Sequence, residues 1–152
     1  MTQVRFYHLT RGTLEDALPV MLDRTIGRDQ RRAVVMAGSA ERVEALNRHL
    51  WVYDDRSFLA HGSAAEGYEK DQPIWLTDRD ENPNGAEVLF LTDGATSEHI
   101  AGYALVCELF DGNDADMVAR ARARWRQYKD QGLAPVYYQQ NERGSWEQKN
   151  DT

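Results

Sequence analysis

An α/β sandwich on a mainly parallel five-stranded sheet is the fold this sequence predicts. Three observations point to it. Short β-rich runs alternate with segments of helical periodicity. One of those runs, Ala-Val-Val-Met-Ala at residues 33–37, is apolar throughout, as a strand covered on both faces would be. No apolar run reaches the ~20 residues that a membrane helix needs.

The first strand falls at residues 4–9, with a turn at Arg11-Gly12. Thr13 caps a helix to about residue 27, in which Leu14, Leu18, Met21, Leu22 and Thr25 recur at helical spacing. Pro19 interrupts that pattern, so a kink or a later start is expected. The second strand is residues 32–37. Ser39 then caps a helix whose stripe is Val43, Leu46, Leu50 and Trp51, with Arg42 where a capping box would place Glu. Further strands are predicted at 73–77, 87–92 and 103–110. The segments 64–72 and 78–85 are expected to be mobile loops. A helix covers 117–131 and stops at Gly132. Residues 1–138 are read as one α/β domain. Residues 139–152 are read as a polar, frayed tail, with a chance for Trp146 to dock.

The chain has 152 residues, enough for a real core. Its 18 Lys and Arg stand against 25 Asp and Glu, a formal net charge of -7. The N-terminus lacks the apolar stretch of a signal peptide, and the expected compartment is the cytoplasm. The one cysteine, Cys107, excludes an intrachain disulfide and a Cys-rich metal site, and reads as a small core residue. The four histidines, His8, His49, His61 and His99, show no metal-ligand spacing and read as structural. The turn Thr10-Arg11-Gly12-Thr13 has no glycine-rich phosphate cradle. Ala-Gly-Ser-Ala-Glu at residues 37–41 lacks the second glycine of a nucleophile elbow. No catalytic residue, metal site or cofactor is therefore assigned.

The distinctive stretch is residues 120–132, Arg-Ala-Arg-Ala-Arg-Trp-Arg-Gln-Tyr-Lys-Asp-Gln-Gly. Five cations and two aromatics share one helix of an acidic protein. Val118, Ala121, Trp125 and Tyr128 fall on one stripe. Arg122, Arg126 and Lys129 fall beside it, and Arg120, Arg124 and Gln127 on a further face. Arg122 and Arg124 have no acid at helical spacing. A ligand with clustered carboxylates and one bulky apolar residue suits such a cationic ridge beside an aromatic groove. The plainer alternative makes the stripe a buried face with solvated arginines around it.

The order of several short motifs resembles the chi subunit family of bacterial DNA polymerase III. They are Phe6-Tyr7-His8-Leu9, Leu-Asn-Arg-His-Leu-Trp at 46–51, Ser57-Phe58-Leu59-Ala60-His61, Pro73-Ile74 and the segment 122–132. Ala60 stands where the family often has proline, and Trp125 and Arg126 replace a tyrosine and a lysine. The resemblance implies a three-layer α/β/α sandwich and a non-catalytic accessory subunit of the polymerase holoenzyme. It implies binding to the acidic C-terminal tail of single-stranded-DNA-binding protein, and pairing with a psi subunit, if present, and so with the clamp loader. Arg122 and Arg126 would then hold the tail's carboxylates. Trp125 and Phe58 would border the pocket for its terminal phenylalanine, and Lys129 would add positive potential. Contact with DNA would be indirect. Two alternatives come from other classes. One is direct single-stranded nucleic-acid binding by the arginine helix, which the net charge disfavours. The other is a nucleotide-dependent enzyme, which the missing glycine loops disfavour.

Overall fold

The computed structural model describes residues 2–52, 61–64 and 67–149. Among the described residues eight strands and three α-helices follow in the order β1 (Gln3–Leu9), α1 (Leu14–Asp23), β2 (Ala33–Met36), α2 (Ala40–Val52), β3 (His61–Ser63), β4 (Ile74–Thr77), β5 (Val88–Leu91), β6 (Leu105–Asp111), α3 (Ala115–Asp130), β7 (Val136–Gln140) and β8 (Trp146–Lys149). They form one sheet in the order β3-β4-β2-β5-β6-β1-β7-β8. Every pairing is parallel except β7 with β8.

The pleat divides the core. Val34 and Met36 of β2 join Phe6, Leu89, Val106 and the α3 residues Ala121, Trp125 and Tyr128 on one face. Ala33 and Val35 join Leu18 and Leu22 of α1 and Val43, Leu46 and Leu50 of α2 on the other. Successive strand residues point to opposite faces, so a strand apolar throughout must be covered twice. The result is the three-layer α/β/α sandwich.

The sheet has eight strands where the sequence predicts five. β3 is His-Gly-Ser, too short and too poor in β-formers to register as a strand. β7 and β8 lie in and beside the segment read as a frayed tail, which instead forms a hairpin. Asn141 closes its turn by accepting at Oδ1 from Arg143 N at 2.9 Å and Ser145 N at 3.1 Å. Gln140 Oε1 accepts from the backbone amides of Thr10, Arg11 and Gly12 at 3.0, 3.0 and 3.2 Å, fastening the hairpin to the β1–α1 turn. Trp146 docks edge-on against Tyr7.

α1 begins with a full capping box between Thr13 and Asp16, and Pro19 lies inside it. Proline has no N–H to give the carbonyl four residues back. That carbonyl, on Glu15, is met instead by His49 Nε2 of α2 at 2.7 Å, so the helix continues past the proline and ends in a π-helical turn (Arg24–Arg28). On α2 the buried stripe is Val43, Leu46, Asn47 and Leu50. Trp51, expected to belong to it, is 47% exposed because Asn47 completes the stripe one turn earlier. The connection at 78–85, expected to be mobile, is tied down. Asn84 Nδ2 donates to the carbonyls of Ala33 at 3.2 Å and Gln72 at 2.9 Å.

α3 carries the main departure from the expected pattern. Arg124, read as unpaired, donates from Nε to Glu108 of β6. The Glu108 side chain is 1% exposed and that of Arg124 12%. Burial raises the Glu108 pKa, with Arg124 and the neighbouring Tyr128 hydroxyl pulling it back. The sequence hid this pair because the acid sits on a strand, and only the packing of α3 across β6 brings it to the arginine. Gly132 ends the helix at φ +84°, with Leu133 N bonded back to Tyr128 O at 3.0 Å.

Removing one partner of a buried pair strands the other charge. Glu108→Ala should therefore destabilise the fold by ~3–5 kcal/mol, whereas Arg122→Ala on the exposed face should change stability by no more than ~0.5 kcal/mol. Urea denaturation of the two variants beside the parent checks both.

Candidate partner-binding site on α3

Ala121, Trp125 and Tyr128 are the buried residues of α3. Trp125 is 8% exposed. Its ring meets Phe6 at 5.5 Å and Tyr137 at 5.9 Å, both edge-on. It is thus the floor beneath the cationic surface, not the wall of an open groove. Phe58, the other residue expected to border the pocket, lies outside the described residues.

The cations are arranged as the spacing requires. Arg122, Arg126 and Lys129 are all exposed, and none of them forms an ion pair among the described residues. Lys129 Nζ stands 5.9 Å from the centre of the Trp125 ring, a cation–π distance. Asp114 caps the helix by accepting from Asp116 N and Met117 N. The helix's first-turn acids therefore stay at its N-terminus, away from the ridge.

Two residues not expected at this site border Arg122. His8, at the end of β1, is hydrogen-bonded through Nδ1 to the Tyr137 hydroxyl, and its ring tilts against Phe110 at 4.9 Å. Gly112 leaves the space for that ring, since a Cβ there would overlap it. Burial lowers the His8 pKa and the Arg122 charge lowers it further, while a backbone hydrogen bond to Gly112 and the charge of Asp111 oppose them. The neutral ring then accepts the Tyr137 O–H at Nδ1. Period-2 alternation assigns Phe6 to the α3 face, and His8 follows by the same count. Tyr137 was not recoverable without the β1–β7 register, which sets Phe6 against Tyr137 and His8 against Gln139.

The crevice where α/β folds hold nucleotides lies elsewhere. The chain leaves β1 over one face and β6 over the other, opening a switch point at their C-terminal ends. A cavity of about 340 Å³ sits there, lined by Leu9, Thr13, Glu15, Arg42, Asp111 and Asp114 among others. Its arginine is already committed: Arg42 donates from Nη2 to Glu15 and from Nε to Asp93, both at 3.0 Å. Cys107 is buried in the α1 face of the core, and burial pushes its thiol up to about 12. His61 is buried on β3, with Nε2 3.1 Å from the Asn47 carbonyl. Among the described residues no group of three His, Cys, Asp or Glu could hold a metal ion. No described helix is long and apolar enough to cross a membrane.

Comparison with known proteins supplies the decisive observation. Residues 1–136 match the family model described as DNA polymerase III chi subunit, HolC. The chain belongs to the DNA polymerase III chi subunit family. It is also 30% identical over 91 residues to a "Probable DNA polymerase III subunit chi" of Rickettsia prowazekii (strain Madrid E), a match covering 60% of this chain. The chain spans about half the length of that curated relative, 54%. The family match takes in the whole of α3, with Arg122, Trp125, Arg126 and Lys129. It stops at the first residue of β7, so the β7–β8 hairpin of this chi-family chain lies almost wholly beyond it.

A basic group with a depressed folded pKa binds its proton less readily when folded than when unfolded. The stability that neutral His8 contributes is therefore complete above the ordinary histidine value of ~6.5. It is lost as pH falls from there through the folded value. Replacing Arg122 with Gln removes one of the lowering influences, so His8 should titrate at higher pH in Arg122→Gln than in the parent. Proton-detected NMR titration of the His8 ring reads the shift directly.

Proposed function

We propose that this chain is a non-catalytic accessory subunit of the DNA polymerase III holoenzyme that links the clamp loader to single-stranded-DNA-binding protein by capturing that protein's acidic C-terminal tail. The observation that carries the proposal is the row of Arg122, Arg126 and Lys129, exposed along one face of α3 without an ion pair among the described residues. A chain of net charge -7 that leaves three neighbouring cations without an ion pair among the described residues offers them to an anion from outside.

Arg122 and Arg126 are one helical turn apart and offer forked donors that grip carboxylates in bidentate fashion. Lys129, held over Trp125, adds a third charge. The tail's aspartates would lie along this row. Its terminal phenylalanine would enter beside Phe58, with Trp125 as the apolar floor. Since Trp125 is covered by the protein's own Phe6 and Tyr137, the ridge carries most of the recognition and the aromatic contribution is the smaller one. A psi partner, where one exists, would complete the link to the clamp loader.

Exposed charges are screened over ~8 Å at physiological salt, so the affinity should be modest and fall as salt rises. Arg122→Glu and Arg126→Glu should each weaken tail binding by at least about ten-fold with the thermal midpoint of unfolding little changed. Calorimetric titration of each variant with a synthetic acidic tail peptide makes the measurement. Affinity unchanged in both variants overturns the proposal.

A further inference from the structure

On the half of the sheet formed by β1, β7 and β8, α3 covers one face, while on the other α1 reaches only as far as Tyr7 of β1. α3 packs over Val4, Phe6 and Tyr137. The alternate residues face the other way: Arg5 and Tyr7 on β1, Val136 and Tyr138 on β7, Trp146 on β8. α1 packs over β6 on that side, and these five residues remain half-buried. Their rings are already ordered against one another. Tyr7 stacks on Tyr138 with centroids 5.2 Å apart and planes 11° apart, and Trp146 meets Tyr7 edge-on at 5.1 Å.

Three hollows adjoin along this face. One of about 490 Å³ lies between α1 and the hairpin and is walled by Val20, Arg24 and Trp146. The middle one, about 100 Å³, also has Arg24 and Trp146 in its wall, with Arg5 and Tyr7. The third, about 390 Å³, has Arg5 again, with Val136, Tyr138 and Gln148. Shared wall residues place the three side by side as a segmented channel.

The charges in the channel set the sign of its ligand. Arg5 is partly buried beside Tyr7, with Cys107 and Tyr138 also near its charge. Burial pushes both Tyr7 and Cys107 up to about 12, so at neutral pH neither supplies a counter-charge. Among the described residues no carboxylate pairs with Arg5 or with the exposed Arg24. Of the acids lining the hollows, Asp29 is taken by Arg28 at 3.0 Å, and Asp16 accepts from Thr13 N at 3.2 Å in the capping box. A partly desolvated guanidinium without an anion is a cost that an external anion relieves.

We propose that this channel binds single-stranded nucleic acid, with phosphates at Arg5 and Arg24 and bases against Tyr138 and Trp146, whose rings Tyr7 holds in place. An open run of aromatics flanked by guanidiniums is how a strand is held without regard to sequence, because every base has a stackable face. Tyr138 and Trp146 lie past residue 136, where the family match ends, whereas Arg5, Tyr7 and Arg24 lie within it. The channel is on the opposite sheet face from the α3 ridge and does not depend on the tail-binding proposal.

The test is fluorescence anisotropy of a labelled oligothymidylate of about 15 nucleotides with the full chain. Trp146→Ala and Arg24→Glu should each weaken binding about ten-fold or more, and Arg126→Glu should leave it unchanged. Arg24 is exposed, so Arg24→Glu stays informative even if Trp146→Ala loosens the hairpin. Affinity for the acidic tail peptide, measured in parallel, should be the same in Trp146→Ala as in the parent, which separates the two proposals. The inference is overturned if the parent does not bind the oligonucleotide, or if both channel variants bind it as well as the parent. It is equally overturned if only Arg126→Glu weakens binding. A parent that binds no oligonucleotide but sediments as a dimer, and becomes a monomer in Trp146→Ala, would assign the face to a second copy of the chain instead.

Discussion

The buried pair of Arg124 and Glu108 fixes how α3 sits on the sheet. A carboxylate 1% exposed within β6 needs a cation, and α3 can supply one only by turning Arg124 inward. With Arg124 inward, the helical repeat turns Ala121, Trp125 and Tyr128 onto the sheet as well. The same repeat turns Arg122, Arg126 and Lys129 to solvent. Such a pair adds little net stability, since desolvation consumes most of its attraction. Its contribution here is orientation. A ridge of outward cations on α3 follows from the inward one.

The parts of the fold carried by local pattern were legible in the sequence. The strands at 33–36 and 88–91, and 74–77 up to Thr77, are apolar and buried on both faces, and continuous apolar runs announced them. Thr13 announced the start of α1, whereas α3 begins two residues before the predicted start, capped by Asp114. The parts that depend on partners distant in the chain were not legible. β3 exists because β4 lies beside it. The β7–β8 hairpin is polar on its outer edge, although Asn141 and Gly144 between Tyr138 and Trp146 are ordinary hairpin-turn residues. Pro19 looked like a helix break because the donor that replaces its missing hydrogen bond, His49, is on another helix.

The candidate site divides the same way. Exposure of Arg122, Arg126 and Lys129 follows from spacing alone. That Trp125 is a floor, with Phe6 and Tyr137 packed on it, could not be read without the strand register. Nor could the His8–Tyr137 hydrogen bond beside Arg122, which joins the first strand to the seventh. The two faces of the β1–β7–β8 half-sheet thus differ in character. One is closed by α3 and presents charge from a helix. The other is open and presents aromatic rings from strands, two of them contributed by the hairpin beyond the family match.

The central claim is that α3's outward cationic face is where an acidic partner docks. Amide chemical shifts of the isotopically labelled chain, followed during titration with the acidic tail peptide, test it most directly. The account predicts that the largest changes cluster on Arg122, Arg126 and Lys129 and on the bordering His8 and Tyr137, with Trp146 and β8 unmoved. Changes confined to another surface, with those of α3 unaffected at saturation, would contradict it.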